Sequence, residues 1–187
     1  MGIEIEKKFT VKELPQDLDS YPFHVIEQAY LNVNPAIRIR RQDDIFYMTY
    51  KCKKVDGDAA SEHSDDAPIG QTEYNLPLDE ASYNHMLPKA DGNIISKRRY
   101  LIPINDDAFT DADRATIPGL NEALSSGDIK IELDVFEGPF KGRIVAEVEF
   151  PSEEAARAYK SASWFSEDVT SDPRYRNSYM SRENLSE

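Results

Sequence analysis

The chain has a single cysteine, Cys52, only three histidines, and no apolar run long enough to cross a bilayer as a helix. One thiol cannot close an intrachain disulfide, which fits a reducing compartment and predicts a cytoplasmic protein. The opening Met1-Gly2-Ile3-Glu4 has neither a basic nor an apolar leader segment, and the hydroxyl residue that myristoylation needs does not follow Gly2. A protein without leader or membrane anchor is therefore expected. His24, His63 and His85 lack the spacing of a zinc site. Neither a glycine-rich phosphate loop nor a Ser-His-Asp or Cys-His constellation occurs, which removes Walker-type and triad chemistry. Basic residues are in deficit: 22 Lys and Arg against 35 Asp and Glu give a formal charge of −13. Such a field repels nucleic acid and anionic membranes, so neither is expected as a partner.

What the chain does have is period-two alternation, the signature of strands. Ile3, Ile5, Lys7 and Phe9 share one face, with Glu4, Glu6 and Lys8 on the other. Ile37 and Ile39 oppose Arg38 and Arg40, and Phe46, Met48 and Tyr50 oppose Tyr47, Thr49 and Lys51. The pattern returns at Gln71–Leu76, from Ile95 to Tyr100, at Lys130–Val135 and at Arg143–Phe150, with Gln28–Val33 as a possible eighth strand. Helices are predicted at Asp79–Leu87, at Gly119–Ser125, and after Ser152, where two glutamates follow the cap and the stripe ends near Trp164. Residues 55–70 read as a long loop and 105–128 as a second insertion. Strands resume after each, so a single domain over 1–187 is expected.

The polar faces repeat like charges: Glu-x-Glu-x-Lys, Arg-x-Arg, Lys-x-Arg, Glu-x-Asp and Glu-x-Glu. Each segment alone reads as a solvated face. Together they need compensation, because like charges two residues apart on one face repel. Divalent cations compensate carboxylate pairs, and phosphate oxygens compensate guanidinium pairs. A closed antiparallel barrel would gather these faces into one lumen, wet and holding ions or ligand, with the helices covering part of the apolar outside.

Glu4-Ile5-Glu6-Lys7-Lys8 resembles the Glu-x-Glu-x-Lys motif of the CYTH superfamily, the triphosphate tunnel metalloenzymes. Tyr30-Leu31, Arg38-Ile39-Arg40, Met48-Thr49-Tyr50-Lys51, Ile95-Ser96-Lys97-Arg98-Arg99-Tyr100, Glu132-Leu133-Asp134-Val135-Phe136 and Ala146-Glu147-Val148-Glu149 follow in the family's order. Asp172-Pro173-Arg174-Tyr175-Arg176-Asn177-Ser178 is similar to the tail of its short bacterial members. The resemblance implies a mainly β fold, an eight-stranded antiparallel barrel forming a tunnel. It also implies hydrolysis of a triphosphate with Mg2+ or Mn2+, inorganic tripolyphosphate being the first candidate. On the same resemblance Glu4, Glu6, Glu132, Asp134, Glu147 and Glu149 are the metal-binding acids. Lys8, Arg38, Arg40, Lys51, Lys97, Arg99, Arg143 and Arg174 hold the phosphates, and Lys8, Glu4, Glu6 and Glu73 are the candidates for orienting or deprotonating water. Gln71 departs from the pattern, standing where many members carry glutamate. Tyr30 is open between substrate contact and packing. A thiamine or nucleoside triphosphatase, a class IV-type adenylate cyclase and a non-catalytic polyphosphate-binding module remain alternatives. The protein is expected as a monomer or homodimer.

Overall fold

The computed structural model describes residues 2–53 and 70–185. The first predicted insertion therefore lies outside the described residues, apart from Gly70. The alternating segments all form strands: β1 (Gly2–Val11), β2 (Phe23–Val33), β3 (Ala36–Gln42), β4 (Ile45–Lys53), β5 (Gly70–Leu78), β6 (Asp91–Pro103), β7 (Lys130–Phe136) and β8 (Ile144–Phe150). A ninth, β9 (Phe165–Asp168), was not predicted; its four residues show no alternation. All pairings are antiparallel, in the order β5-β4-β3-β2-β6-β7-β8-β1-β9, and β1 also pairs with β5.

This is the expected mainly β barrel with two corrections. The ends meet along a short seam instead of a full ladder: Gly2 to Ile5 pair with Glu73 to Gly70, while Ile5 to Thr10 pair with β8. Beyond the seam, β9 takes the free edge of β1 at Phe9 and Val11. The long β1 thus has partners that change along its length, which a one-dimensional pattern does not reveal.

The main apolar core lies outside the barrel wall. Outward-facing Phe9, Tyr100, Ile102, Ile131, Leu133, Ala146, Val148 and Phe150 pack with Leu120, Ala155, Ala156 and Tyr159. Leu120 belongs to α3 (Leu120–Ser126), which follows α2 (Asp111–Thr116), so the 105–128 segment is a helical cover. Thr110 and Asp113 close a reciprocal capping box on α2. Ala155 and Ala156 belong to α4 (Glu153–Ala158), capped by the Ser152 hydroxyl. This helix stops before the predicted end. Tyr159 caps it, and Trp164 lies beyond, edge-on to Phe165 at the border of the core. On the opposite side α1 (Glu80–Met86), capped by Asp79, lays Tyr83 over Ala29 and Ile39.

A third cluster forms at one end of the barrel from Tyr30, Ile95, Phe136, Phe140, Val145 and Met180. Ile95, Phe136 and Val145 share strand faces with Lys97, Asp134 and Glu147, so here the charged faces turn apolar. Met180 comes from α5 (Asn177–Met180), and the tail after it is fastened to β6. The Asn93 amide N–H donates to the Ser181 carbonyl at 2.6 Å, and the Asn93 side chain donates to the carbonyls of Met180 and Glu183. Gly92 permits this approach. Its φ is +74°, and a Cβ there would lie 2.0 Å from the Ser181 carbonyl oxygen. Gly92→Ala should therefore cost more than about 1 kcal/mol of stability, read as a lowered Tm. An unchanged Tm would contradict this seating of the tail.

Candidate active site in the barrel lumen

Two contacts fix which face of the strands is inside. Arg99 on β6 reaches past β7 to Glu147 on β8, with Nη2 2.5 Å from Oε2. Lys51 on β4 reaches past β5 to pair with Glu4 on β1. Such chords span a concave surface, and the charged faces line it. Arg38, Arg40, Lys8, Lys97, Arg99, Asp134 and Glu147 are all buried.

One wall carries its own counter-charges. Lys97 and Asp134, 0% and 1% exposed, form an ion pair. Arg99 donates from Nε and Nη2 to the two Asp134 oxygens at 2.7 Å each, and it pairs with Glu132 and Glu147 as well. Lys8 pairs with Glu147 and, at 3.2 Å, with Glu6. Burial alone would raise the Glu147 carboxyl, but Lys8, Arg99 and Lys97 hold it well below the usual range. Burial also disfavours charge on Lys8, yet Glu147 and Glu6 prevail and raise its pKa, so Lys8 remains an ammonium. At Lys97 burial and Arg99 prevail over Asp134, and the amine is pulled down to about 8. Carboxylates on β7 and β8 thus already pair with Lys97 and Arg99, a pairing invisible without the register.

The facing wall differs. Arg38 and Arg40, 9% and 8% exposed, have no carboxylate within ion-pair distance among the described residues. Arg38 Nη2 donates to the Thr49 hydroxyl at 3.2 Å, and its Nε meets no acceptor. Arg40 donates from Nε and Nη2 to Gln28 Oε1, at 3.0 and 2.8 Å, and from Nη1 to the Tyr47 hydroxyl at 3.1 Å. Burial and the neighbouring Arg38 both lower the Arg40 pKa. A small cavity of about 20 Å3 beside Arg38 is lined by Tyr30, Ala36, Thr49 and Lys51. Tyr30 thus packs in the apolar end cluster and also borders the charged lumen.

The third group is acidic. Glu4, Glu6 and Glu149 each bring a carboxylate oxygen within 4.8 Å of the others. Glu149 is solvent-exposed, but desolvation by the surrounding lumen, together with the like charges of Glu132 and Glu4, pushes its carboxyl up to about 7. Glu4 and Glu6 also pair with Lys51 and Lys8, and the three closely set hard oxygens suit a divalent cation such as magnesium or manganese. The other expected metal acids, Glu132, Asp134 and Glu147, are not brought into this trio and pair with Arg99, Lys97 and Lys8. Glu73 lies 3.6 Å from Lys51 and accepts from the Asn75 amide. Arg143 and Arg174 stand apart from the cluster. Arg143 pairs with Glu183 at 2.5 Å, and Arg174, 70% exposed at its side chain, pairs with Asp172. The lumen also holds neutral polar residues, Gln28, Tyr47, Thr49 and Asn75, to which residue type alone assigns no role. Their signal was their parity with charged neighbours on the same strand faces.

This architecture, an antiparallel barrel with a charged lumen, is that of triphosphate tunnel proteins. The chain is similar to an inorganic triphosphatase of Nitrosomonas europaea, 29% identical over 93% of both chains, and to one of Acetivibrio thermocellus, 29% identical over 96% of this chain and 94% of that one. A crystal structure of an inorganic triphosphatase, 27% identical, superposes over 98% of this chain and 97% of its own with a TM-score of 0.62. No family model matches the chain. The resemblance to CYTH-type inorganic triphosphatases holds in sequence and in fold along nearly the whole length.

The raised Glu149 pKa has a testable sign. The folded state holds this proton more tightly than an unfolded carboxyl of ordinary value 4.5 would. Its contribution to stability is therefore present at low pH and is lost as pH rises through about 7. A cation at the trio must displace that proton. The magnesium-induced rise in Tm should accordingly be larger at about pH 7.5 than at about pH 5.5, and Glu149→Gln should erase the difference. Equal shifts at both pH values in the wild type would exclude Glu149 from a cation site.

Proposed function

We propose that the chain hydrolyses a triphosphate held in this lumen, with inorganic tripolyphosphate as the substrate and magnesium or manganese as the cation. One observation carries the reading: Arg38 and Arg40 are buried on one strand face, their hydrogen bonds go to neutral partners only, and Glu73 and Glu4 act on Arg38 without contacting it. A buried charge with no directly paired counter-charge is costly, and guanidinium forks match phosphate oxygens. A polyanion supplies what this wall lacks. The near full-length likeness to chains named inorganic triphosphatase supports the same reading. The whole chain is read as one such domain, with the 105–128 segment as an outer cover.

The residues divide the work. Arg38 and Arg40 bind the phosphate chain, and Lys51 and Lys8 flank it. Because Lys8 stays protonated, it positions oxygens and does not accept a proton. Lys97 and Arg99 add positive potential but are already braced by acids, so they stiffen the wall behind the substrate. At Glu73, burial is outweighed by Arg38 and Lys51, which keep it ionised, and it can orient a water by accepting its hydrogen bond. Glu4, Glu6 and Glu149 would hold the divalent cation, which when bound neutralises phosphate charge and polarises phosphoryl oxygens. Water attacks the terminal phosphorus, its proton passing to the Glu73 carboxylate that orients it or to a phosphate oxygen, and the bond to the bridging oxygen of the leaving diphosphate breaks. The lumen cations stabilise the charge that develops there.

Phosphate release from tripolyphosphate, thiamine triphosphate and ATP, each with magnesium, manganese or excess EDTA, tests the proposal. Tripolyphosphate should be preferred and EDTA should abolish turnover. Release from none of them would leave a binding module, and full activity in chelator would remove the cation. The phosphate role of Arg40 has a separate check. Saturating tripolyphosphate with magnesium should raise the wild-type Tm, by about 2.7 kcal/mol of stability at a hundredfold excess over Kd. Arg40→Ala should lose most of this shift, with the empty Tm recorded alongside, because a buried like charge has gone but Gln28 Oε1 has lost its donor. Equal ligand shifts in both proteins would show that Arg40 does not hold phosphate.

A further inference from the structure

Gln28 lies wholly inside the protein, 0% exposed, on β2 directly across from Arg40 on β3. Its Oε1 accepts two N–H groups of the Arg40 guanidinium. Its Nε2 meets no acceptor among the described residues. The amide cannot turn round to cure this, because turning would set its NH2 against the donors of Arg40. A buried amide with one end doubly used and the other unused is a donor waiting for an acceptor. The lumen acids nearest in the barrel order are already engaged: Asp134 by Lys97 and Arg99, and Glu147 by Lys8 and Arg99.

Arg99 is braced by three carboxylates, Glu132, Asp134 and Glu147, which cancel its charge. Arg40 is braced by an amide, which fixes the fork and leaves the charge intact. A glutamate at position 28 would hold the same fork but neutralise it, and would present a negative oxygen where the amide presents N–H. The choice of glutamine over glutamate keeps the Arg38–Arg40 wall positive and adds one more donor to it.

We propose that Gln28 is a substrate-contacting residue of the lumen, its Nε2 donating to an oxygen of the bound triphosphate while its Oε1 holds Arg40 in position. This rests on the triphosphate reading above and adds to it a neutral side chain that reads the polyanion. Its test is calorimetric binding of tripolyphosphate with magnesium to the wild type, Gln28→Glu and Gln28→Met, with Tm recorded for each empty protein. Gln28→Glu should weaken binding by at least about fivefold with the empty Tm retained, because the new carboxylate neutralises Arg40 and repels phosphate. Gln28→Met, similar in length and unable to donate, should also lose at least about fivefold, and serves if the glutamate variant does not fold. A purely structural role would instead lower the empty Tm and leave the affinity of the folded fraction unchanged. A loss smaller than about fivefold in either folded variant overturns the role of Gln28 alone. A wild type that binds no tripolyphosphate overturns the triphosphate reading and this inference with it.

Discussion

A charge taken out of water must find an opposite charge, a set of dipoles or a ligand, and the lumen of this barrel is organised by that requirement. The described lumen gathers six cations (Lys8, Arg38, Arg40, Lys51, Lys97, Arg99) and seven acids (Glu4, Glu6, Glu73, Glu132, Asp134, Glu147, Glu149). Their sum is close to zero; their placement is uneven. β6, β7 and β8 interleave opposite charges so closely that Lys97 and Asp134 can be almost dry. β3 places two arginines among amide and hydroxyl partners. β1 and β8 bring three acids together and raise the proton affinity of one. One interior thus offers a self-neutralised scaffold, a cationic wall and an acidic trio, and the last two call for ligands of opposite sign.

Much of this could be read along the chain, because a strand exposes its two faces in strict alternation. Glu4, Glu6 and Lys8, Arg38 and Arg40, and Lys97 and Arg99 declare a shared face by spacing alone, and all of them reach the lumen. What spacing cannot declare is which strand lies opposite. That Asp134 and Glu147 would be spent on Arg99 depends on β6, β7 and β8 being neighbours, a fact of topology. Arg143 and Arg174 resemble phosphate ligands along the chain; in the fold Arg143 pairs with the distant Glu183 and Arg174 with the nearby Asp172. β9 was illegible because Phe165–Asp168 is too short for a period to show. Gln28 is silent in the sequence for the opposite reason: an uncharged polar residue on a strand ordinarily signals nothing, and only its burial against Arg40 makes it informative.

The apolar clusters that hold the barrel together sit mostly on its outside, between wall and helices, and the charged interior contributes little to cohesion. Load and task are therefore borne by opposite faces of the same strands. In an enzyme whose pocket is carved from its core, changing the pocket risks the fold. Here the inward arginines of β3, which lack paired carboxylates, can be exchanged with their outward neighbours undisturbed, whereas the dry Lys97–Asp134 pair cannot lose one member without large destabilisation. The consequence is evolvability confined to one wall: such a barrel can drift toward a new anionic substrate by rewriting the β3 face while the interleaved pairs of β6, β7 and β8 stay fixed.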